Sequence, residues 1–468
     1  MQTSDETSAT APRGLAPTIG RFGFFTLSFG TVVGSGWVVL LGDWLNSAGP
    51  GGVVIGFLAG LAVMAMIAVC YGELASRSSA AGGEFLYVLE TLGPGPGFLV
   101  GWFLTLYGIA VCTFEATVFS WLLRTLVPEI GTEAAYAVNG AAVTWDALIV
   151  GCGGAVLIGA LHYRGAAAAI SFQNIVTFVF ILASLVLVIS GASFGHLANL
   201  EPIFSGKNGA SWVGGAIWVF SMCAFFLNGW QTALHAIEER RSSVSVRDAV
   251  WAIVGGIGVA ALFYCSIVLS AASAAPWRQV VGTDLPAVVA FASLTKSGVL
   301  GTLVLVAAII SIAKTWNAVA WLATRLLFAQ ARHGLIPASF AKLQGASGTP
   351  RVAVVFVTIC SVIGIALGRA AILPIVNMVS TCLGLSMILC IAVLIKRRRS
   401  EKKRPMFVAP GGAVTIWLAL AGASAMVGVA ILQPLFDKQN VGIPLEWKLL
   451  GFWAALGIVI WFARRGRP

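Results

Sequence analysis

Two short stretches of this chain set polar or conformationally permissive residues among apolar ones. Gly30-Thr31-Val32-Val33-Gly34-Ser35-Gly36 carries three glycines within one short run, and Phe225-Phe226-Leu227-Asn228-Gly229-Trp230-Gln231 brings Asn, Gly and Gln together. A glycine inside a helix destabilises it by about 1 kcal/mol relative to alanine. Gly30 and Gly34 have the four-residue spacing of close helix packing. Gly36 adds a spacing of two that packing does not need, which points to a break in the helix. A break frees backbone groups that can hold a solute. The N–H groups of Ser35, Gly36 and Trp37 would open a new half-helix and suit a carboxylate, with the Ser35 hydroxyl assisting. Carbonyls around Phe225 and Phe226 would accept from an ammonium. An amino acid carries both groups; an organic amine or polyamine carries only the second. The candidate substrate-binding residues are Thr31, Val32, Gly34, Ser35, Gly36, Trp37, Phe225, Phe226, Asn228 and Gly229.

Charged residues inside apolar runs form the second constellation. Glu115 has Gly108 and Cys112 at helical spacing, so one face of its helix is small and is expected to border a cavity. Lys314 shares its face with Ser311, Asn317 and Trp321. A charge at the centre of a bilayer costs roughly 2.5–3.5 kcal/mol on insertion scales, so the two either pair structurally or serve coupling. Phe225, Glu238, Glu239 and Arg77 are candidate gate residues, the charged three being equally readable as a solvated rim. Gln173 and Asn174 read as interhelical hydrogen bonders and His235 as a packing residue. All eight cysteines lie inside apolar runs, without a CxxC pair or Cys/His cluster, so neither a metal site nor a disulfide framework is expected. No cofactor is implied, and the catalytic motifs of a membrane-embedded enzyme are missing from the sequence.

The elements that must position these groups are membrane spans. The chain is 58% hydrophobic and 10% charged, against about 25% charged in soluble domains. Ile253 to Ala275 carries no charge at all, and a spanning helix needs roughly 20 such residues. Twelve spans are expected, near 22–46, 52–75, 95–127, 143–162, 166–190, 212–237, 249–272, 299–330, 351–368, 371–395, 413–434 and 446–463. Spans 3 and 8 are long enough to tilt or protrude. Lys and Arg are about threefold enriched in alternate loops, most densely in the Lys396–Arg404 cluster. That bias places both termini in the cytoplasm and the chain in the cytoplasmic (inner) membrane. It reads as an orientation signal facing anionic lipid and not as a nucleic-acid patch. Residues 1–20 read as a cytoplasmic tail. Interruptions at the middle of spans 1 and 6, five spans apart, are the pattern of an inverted-repeat transporter: 21–195 as the first repeat, 196–395 as the second, and 396–468 as a basic loop with two further helices. Broken helices at the midplane suit a carrier better than a channel, which would show a filter or charge ring.

Four further segments carry a resemblance. Gly34-Ser35-Gly36, then Ala81-Gly82-Gly83-Glu84-Phe85 through Gly93 and Gly101-Trp102, then Gly229-Trp230-Gln231 with Glu238-Glu239, then Arg332-His333-Gly334-Leu335-Ile336-Pro337 with Thr349-Pro350 occur in order and at the right spacing. Together they resemble the amino acid–polyamine–organocation (APC) superfamily, over about Phe22 to Arg404. The resemblance implies an all-α membrane protein of the LeuT type, a 5+5 inverted repeat plus two C-terminal helices. It implies alternating-access transport of amino acids or derived amines, and is compatible with a homodimer. Gln231, Trp37 and the Arg240-Arg241 after the two glutamates depart from the family pattern and bear on side-chain specificity. Sodium-independent members of the superfamily often place a lysine from span 5 at the sodium position of related folds. Val176 to Ile181 has none here, so Lys314 is expected to supply that charge from span 8, making transport exchange or proton-coupled.

Overall fold

The computed structural model describes residues 19–465 except 78–82, 129–132, 139, 165, 210, 236, 238–239, 345–348, 402–404 and 437–442. Eleven helical segments among these are long and apolar enough to cross a bilayer. Large apolar side chains such as Leu157, Ile175, Ile189 and Phe452 stand exposed along them, as a surface facing lipid requires. Ion pairs such as Arg77–Glu73 and Arg369–Asp284 gather at helix ends. The chain is an all-α, multi-pass membrane protein.

The first expected span is divided. Helix α1 (Arg21–Val32) ends at the glycine run, α2 (Gly36–Val39) restarts after it, and α3 runs Leu41–Arg77. Inside α3 the second span begins at Pro50, after Gly49 turns the chain at φ 66°; glycine tolerates that conformation and proline suits a first helical position. Helices α4 (Gly83–Leu92) and α5 (Pro94–Leu126) follow. Strands β1 (Ala134–Val138) and β2 (Ala141–Thr144) then pair antiparallel, β2 taking the first residues of the expected fourth span. Helices α6 (Trp145–Arg164) and α7 (Ala166–Phe194) lead to a second divided span, α8 (Trp212–Phe226) and α9 (Gln231–His235).

Helix α10 (Val246–Ala274) starts on a capping box in which Ser245 and Asp248 exchange hydrogen bonds. Short helices α11 (Trp277–Val280) and α12 (Pro286–Ser293) precede α13 (Val299–Arg332). The ninth expected span is α14 (Arg351–Ile365), about 22 Å long at 1.5 Å per residue and short of a hydrocarbon core of about 30 Å. Helices α15 (Ile372–Ser400), α16 (Ala413–Phe436) and α17 (Leu445–Arg465) complete the chain.

The long helices α5 and α13 form the centre. Glycines let them approach: a Cβ at Gly108 would press on Ala323, and one at Gly101 on Gln330. Gln330 donates to the Gly101 carbonyl at 3.2 Å and the Thr105 hydroxyl at 2.9 Å. Helix α17 is clasped to α5 by stacked indoles: Trp102 donates to the Trp453 carbonyl at 2.9 Å and Trp453 to that of Trp102 at 3.0 Å.

Candidate substrate site

The two helix breaks meet. Val33, Gly34 and Ser35 separate α1 from α2, and Leu227 to Trp230 separate α8 from α9. The Thr31 hydroxyl donates to the Gly229 carbonyl at 2.9 Å. Gly229 sits at φ 103°, where a Cβ would lie 2.7 Å from the Thr31 carbonyl oxygen, so only glycine fits. Its N–H donates to the Gln231 side-chain oxygen at 3.0 Å, and the Gln231 amide donates to Asn228 Oδ1. Gln231 therefore holds the second break in shape, using both ends of its amide where a carboxylate could only accept. Gly36 packs against the Phe226 ring so closely that an added Cβ would overlap it.

Between the breaks lies a cavity of about 30 Å³, room for roughly one or two water molecules. Of the residues proposed from sequence, Thr31, Val32, Gly34, Ser35, Gly36, Phe225, Phe226, Asn228 and Glu115 line it. Gly229 stands behind it on Thr31, and the Trp37 ring turns away to meet Phe263 edge-on. Phe225 closes one wall against Phe114, with ring centroids 5.5 Å apart.

Lys314 lies behind this wall, fully buried. At the break the Gly34 N–H donates to the Tyr264 hydroxyl at 3.3 Å instead of to the carbonyl one turn back. That leaves the last carbonyls of α1 without helical partners. The Lys314 ammonium takes two of them, Gly30 at 2.6 Å and Val33 at 2.5 Å, and stands 4.9 Å from the centre of the Phe180 ring. The Ser311 hydroxyl adds a bond to Val33 at 3.3 Å. A cation at the C-terminal end of a helix is favourable, and more so out of water.

Glu115 faces the cavity from α5. Its carboxylate meets the Thr315 hydroxyl at 2.6 Å and the Ser35 hydroxyl at 3.1 Å. It makes no ion pair with Lys314, contrary to the pairing two buried charges invite: each is satisfied by uncharged groups. The small face around Glu115 is also not the cavity face. Gly108 packs on Ala323, and Cys112 borders a separate space beside His162.

Beyond the cavity, where α5 ends and α6 and α15 begin, a vestibule of about 500 Å³ opens among Val39, Asp43, Trp121, Arg124, Thr144 and Arg369. Arg369 stacks on Trp121 at 3.6 Å. At the opposite end the chain is tied shut. Arg241 N–H donates to the Ile19 carbonyl at 2.9 Å and Arg21 pairs with Asp248. Arg77, one of the expected gate residues, pairs with Glu73 at 2.7 Å and Glu401 at 3.1 Å, while Arg398 also binds Glu73, joining α3 to α15. Glu238 and Glu239 lie outside the described residues.

A family model described as amino acid permease matches residues 19–462, nearly the whole chain. The chain belongs to the amino acid permease family. Among curated relatives it is similar to a branched-chain amino acid permease of Bacillus subtilis (strain 168), 24% identical over 97% of this chain and 94% of that one. It is similar to a methylthioribose transporter of the same organism, 28% identical over 72% of each chain. It also resembles a probable GABA permease of Pseudomonas aeruginosa, 21% identical over 93% of this chain and 82% of that one. As a member of this permease family within the APC superfamily, the protein is placed among carriers of small molecules, and these relatives are named as permeases and transporters, not enzymes.

In this permease the sequence reading missed Tyr107, Val111, Phe114, Tyr264, Thr315 and Val319 of the cavity wall. A signal for four of them existed. Tyr107, Val111 and Phe114 run at helical spacing toward Glu115, as Val319 does from Thr315. Tyr264 sits mid-helix in an apolar run and carries no such cue.

Proposed function

We propose that this permease moves amino acids across the cytoplasmic membrane by alternating access, as a sodium-independent secondary transporter working by exchange or with protons. The observation that carries the reading is the meeting of two broken spans around one buried cavity. The substrate carboxylate would lie at the start of α2, where Ser35, Gly36 and Trp37 offer N–H groups, and the ammonium against the carbonyls that end α8. Spans 1–5 and 6–10 would form the inverted repeats, with both termini cytoplasmic.

Lys314 supports sodium independence. Its ammonium already occupies two carbonyls of α1 from a neighbouring helix, the ligand type a hard cation takes. Glu115 supports proton coupling. It stands against Ser35 at the N-terminus of α2, so a substrate carboxylate arriving there meets a like charge unless Glu115 is protonated. Proton and substrate would then favour each other's binding, a reciprocal coupling.

The same carboxylate favours a second reading, transport of an organic amine without a carboxylate. Glu115 would receive its ammonium among the rings of Tyr107, Phe114, Phe225, Phe226 and Tyr264. Thermal stabilisation of purified protein by a panel of amino acids and amines separates the two. The first reading expects stabilisation by an α-amino acid and its loss in the carboxyl-less analogue. Stabilisation by the amine alone sinks that reading in favour of the second. Sodium-stimulated uptake into proteoliposomes sinks the role given to Lys314.

A further inference from the structure

The central helices α5 and α13 lie in a fixed register. Gly101 meets Gln330, Gly108 meets Ala323, and Glu115 meets the Thr315 hydroxyl. About two turns up α5 are thus matched by two turns back along α13, twice in succession. Gly108, Val111 and Glu115 follow at helical spacing along α5, as Ala323, Val319 and Thr315 do along α13. Midway between the last two contacts, Val111 and Val319 therefore stand opposite each other. Both are buried and both line the substrate cavity. Val32, Phe114, Phe225 and Phe226 supply the rest of its apolar wall.

The polar side chains of the wall already have partners within the protein. Thr31 donates to the Gly229 carbonyl, and Ser35 and Thr315 donate to Glu115. Asn228 accepts from Gln231 and reaches the Tyr107 hydroxyl. The Tyr264 hydroxyl accepts from the Gly34 N–H. Glu115, Ser35, Thr315 and Tyr264 gather at the break in α1: a Cβ on Gly34 would lie 3.5 Å from both Glu115 and Thr315. The two valines offer neither donor nor acceptor. A hydroxyl or amide placed between them would be buried without a partner, which is unfavourable.

We propose that Val111 and Val319 form the side-chain subsite of this permease and select substrates with an aliphatic side chain. The inference rests on the proposed amino acid transport, which holds the substrate's carboxylate and ammonium at the two breaks and so turns its side chain toward α5 and α13. The cavity, at about 30 Å³, is smaller than a valine, so the breaks spread to admit the substrate. The contacts of Gly108 with Ala323 and of Glu115 with Thr315 keep the two valines facing each other meanwhile.

Valine and threonine have nearly the same shape and differ by a methyl against a hydroxyl, so their affinity ratio reads the polarity of the subsite. Both affinities come from concentration-dependent thermal stabilisation of the purified full-length permease. Taking the ratio within one protein cancels any change in folding. The unaltered permease is expected to favour valine by about tenfold or more, within the roughly hundredfold that an apolar pocket achieves against a hydroxyl isostere. Val111→Thr and Val319→Thr should each cut that ratio at least about threefold, as one new hydrogen bond would. Val304→Thr, buried elsewhere in α13, should leave it unchanged. Val319→Ala covers the case in which the threonine variants fail to fold: the wider subsite should favour leucine over valine more than the unaltered protein does. Equal affinity for valine and threonine in the unaltered protein, or binding of polar amino acids without valine, overturns the proposal. So does a ratio unchanged in both threonine variants, or one that falls equally in Val304→Thr. Isobutylamine and its hydroxyl isostere, the same pair without the carboxylate, separate this from failure of the amino acid reading. Binding of that pair alone sinks amino acid transport, and the ratio within the pair then decides the subsite.

Discussion

Lys314 and Glu115 lie on neighbouring helices and look like an ion pair in the sequence, yet they do separate work. The lysine satisfies carbonyls that the break in α1 strands; the glutamate faces the cavity through two hydroxyls. Lys314→Met should leave two buried carbonyls short of a donor, a penalty of about 1–3 kcal/mol each. The loss should appear as a lower unfolding temperature and as turnover reduced more than substrate affinity. Because the two make no ion pair, a Lys314→Met, Glu115→Gln double variant should not recover the stability that Lys314→Met loses. Rescue of stability in the double variant would restore the ion pair that the geometry lacks. Glu115→Gln keeps a side chain that can bond Ser35 and Thr315 but cannot titrate. It should abolish uptake driven by a proton gradient while sparing substrate exchange; proteoliposomes assayed both ways decide this, and unchanged gradient-driven uptake removes the proton role.

At the scale of elements, the breaks were legible because glycine and buried amide side chains are chemically conspicuous in apolar runs. Gly30 to Gly36 and Asn228 to Gln231 announce the ends of α1 and α8. The cavity wall was less legible because it is made of ordinary apolar and aromatic residues, whose place follows from packing. Gly108 and Cys112 invited a substrate cavity, but α13 packs Ala323 on Gly108 and Cys112 borders a separate small space instead. The β1–β2 hairpin escaped notice because Ala134 to Thr144 is short and small-sided. The steric difference between neighbouring glycines was also hidden. A Cβ at Gly36 overlaps Phe226, whereas one at Gly34 meets Glu115 and Thr315 at 3.5 Å, ordinary contact. Gly36→Ala should therefore weaken substrate binding at least about tenfold, roughly the 1.4 kcal/mol or more that overpacking a tight contact costs, with normal insertion into the membrane. Gly34→Ala should be much milder in the same binding assay. Equal losses would mean that the α2–α8 contact is not what shapes the site.

For the whole molecule, the order of the helices followed from hydropathy, but the count of twelve spans did not: eleven described segments are long and apolar enough to cross a bilayer. Helix α14 covers only 15 residues of the expected ninth span, ending before Gly368 turns the chain at φ 62° ahead of α15. Orientation rests on the distribution of Lys and Arg. A single cysteine placed at Ser400 should react with an impermeant maleimide only from the cytoplasmic side, and one at Gly140 in the hairpin only from outside. The reverse pattern would exchange the vestibule and the tied end. The arginine-rich ends of α15 and α10 would then face the wrong leaflet for the bias that set the topology.

The small volume between the two breaks has a consequence for the cell that houses the protein. A carrier sits in a membrane across which ion gradients are stored as usable energy. A chamber of about 30 Å³ holds too little water to form a continuous hydrated thread from the vestibule to the tied end. Lys314 stands behind the wall of this chamber, where its ammonium would raise the electrostatic barrier to a passing cation. In this arrangement the protein behaves as insulation, so idle copies can be abundant without discharging the membrane potential.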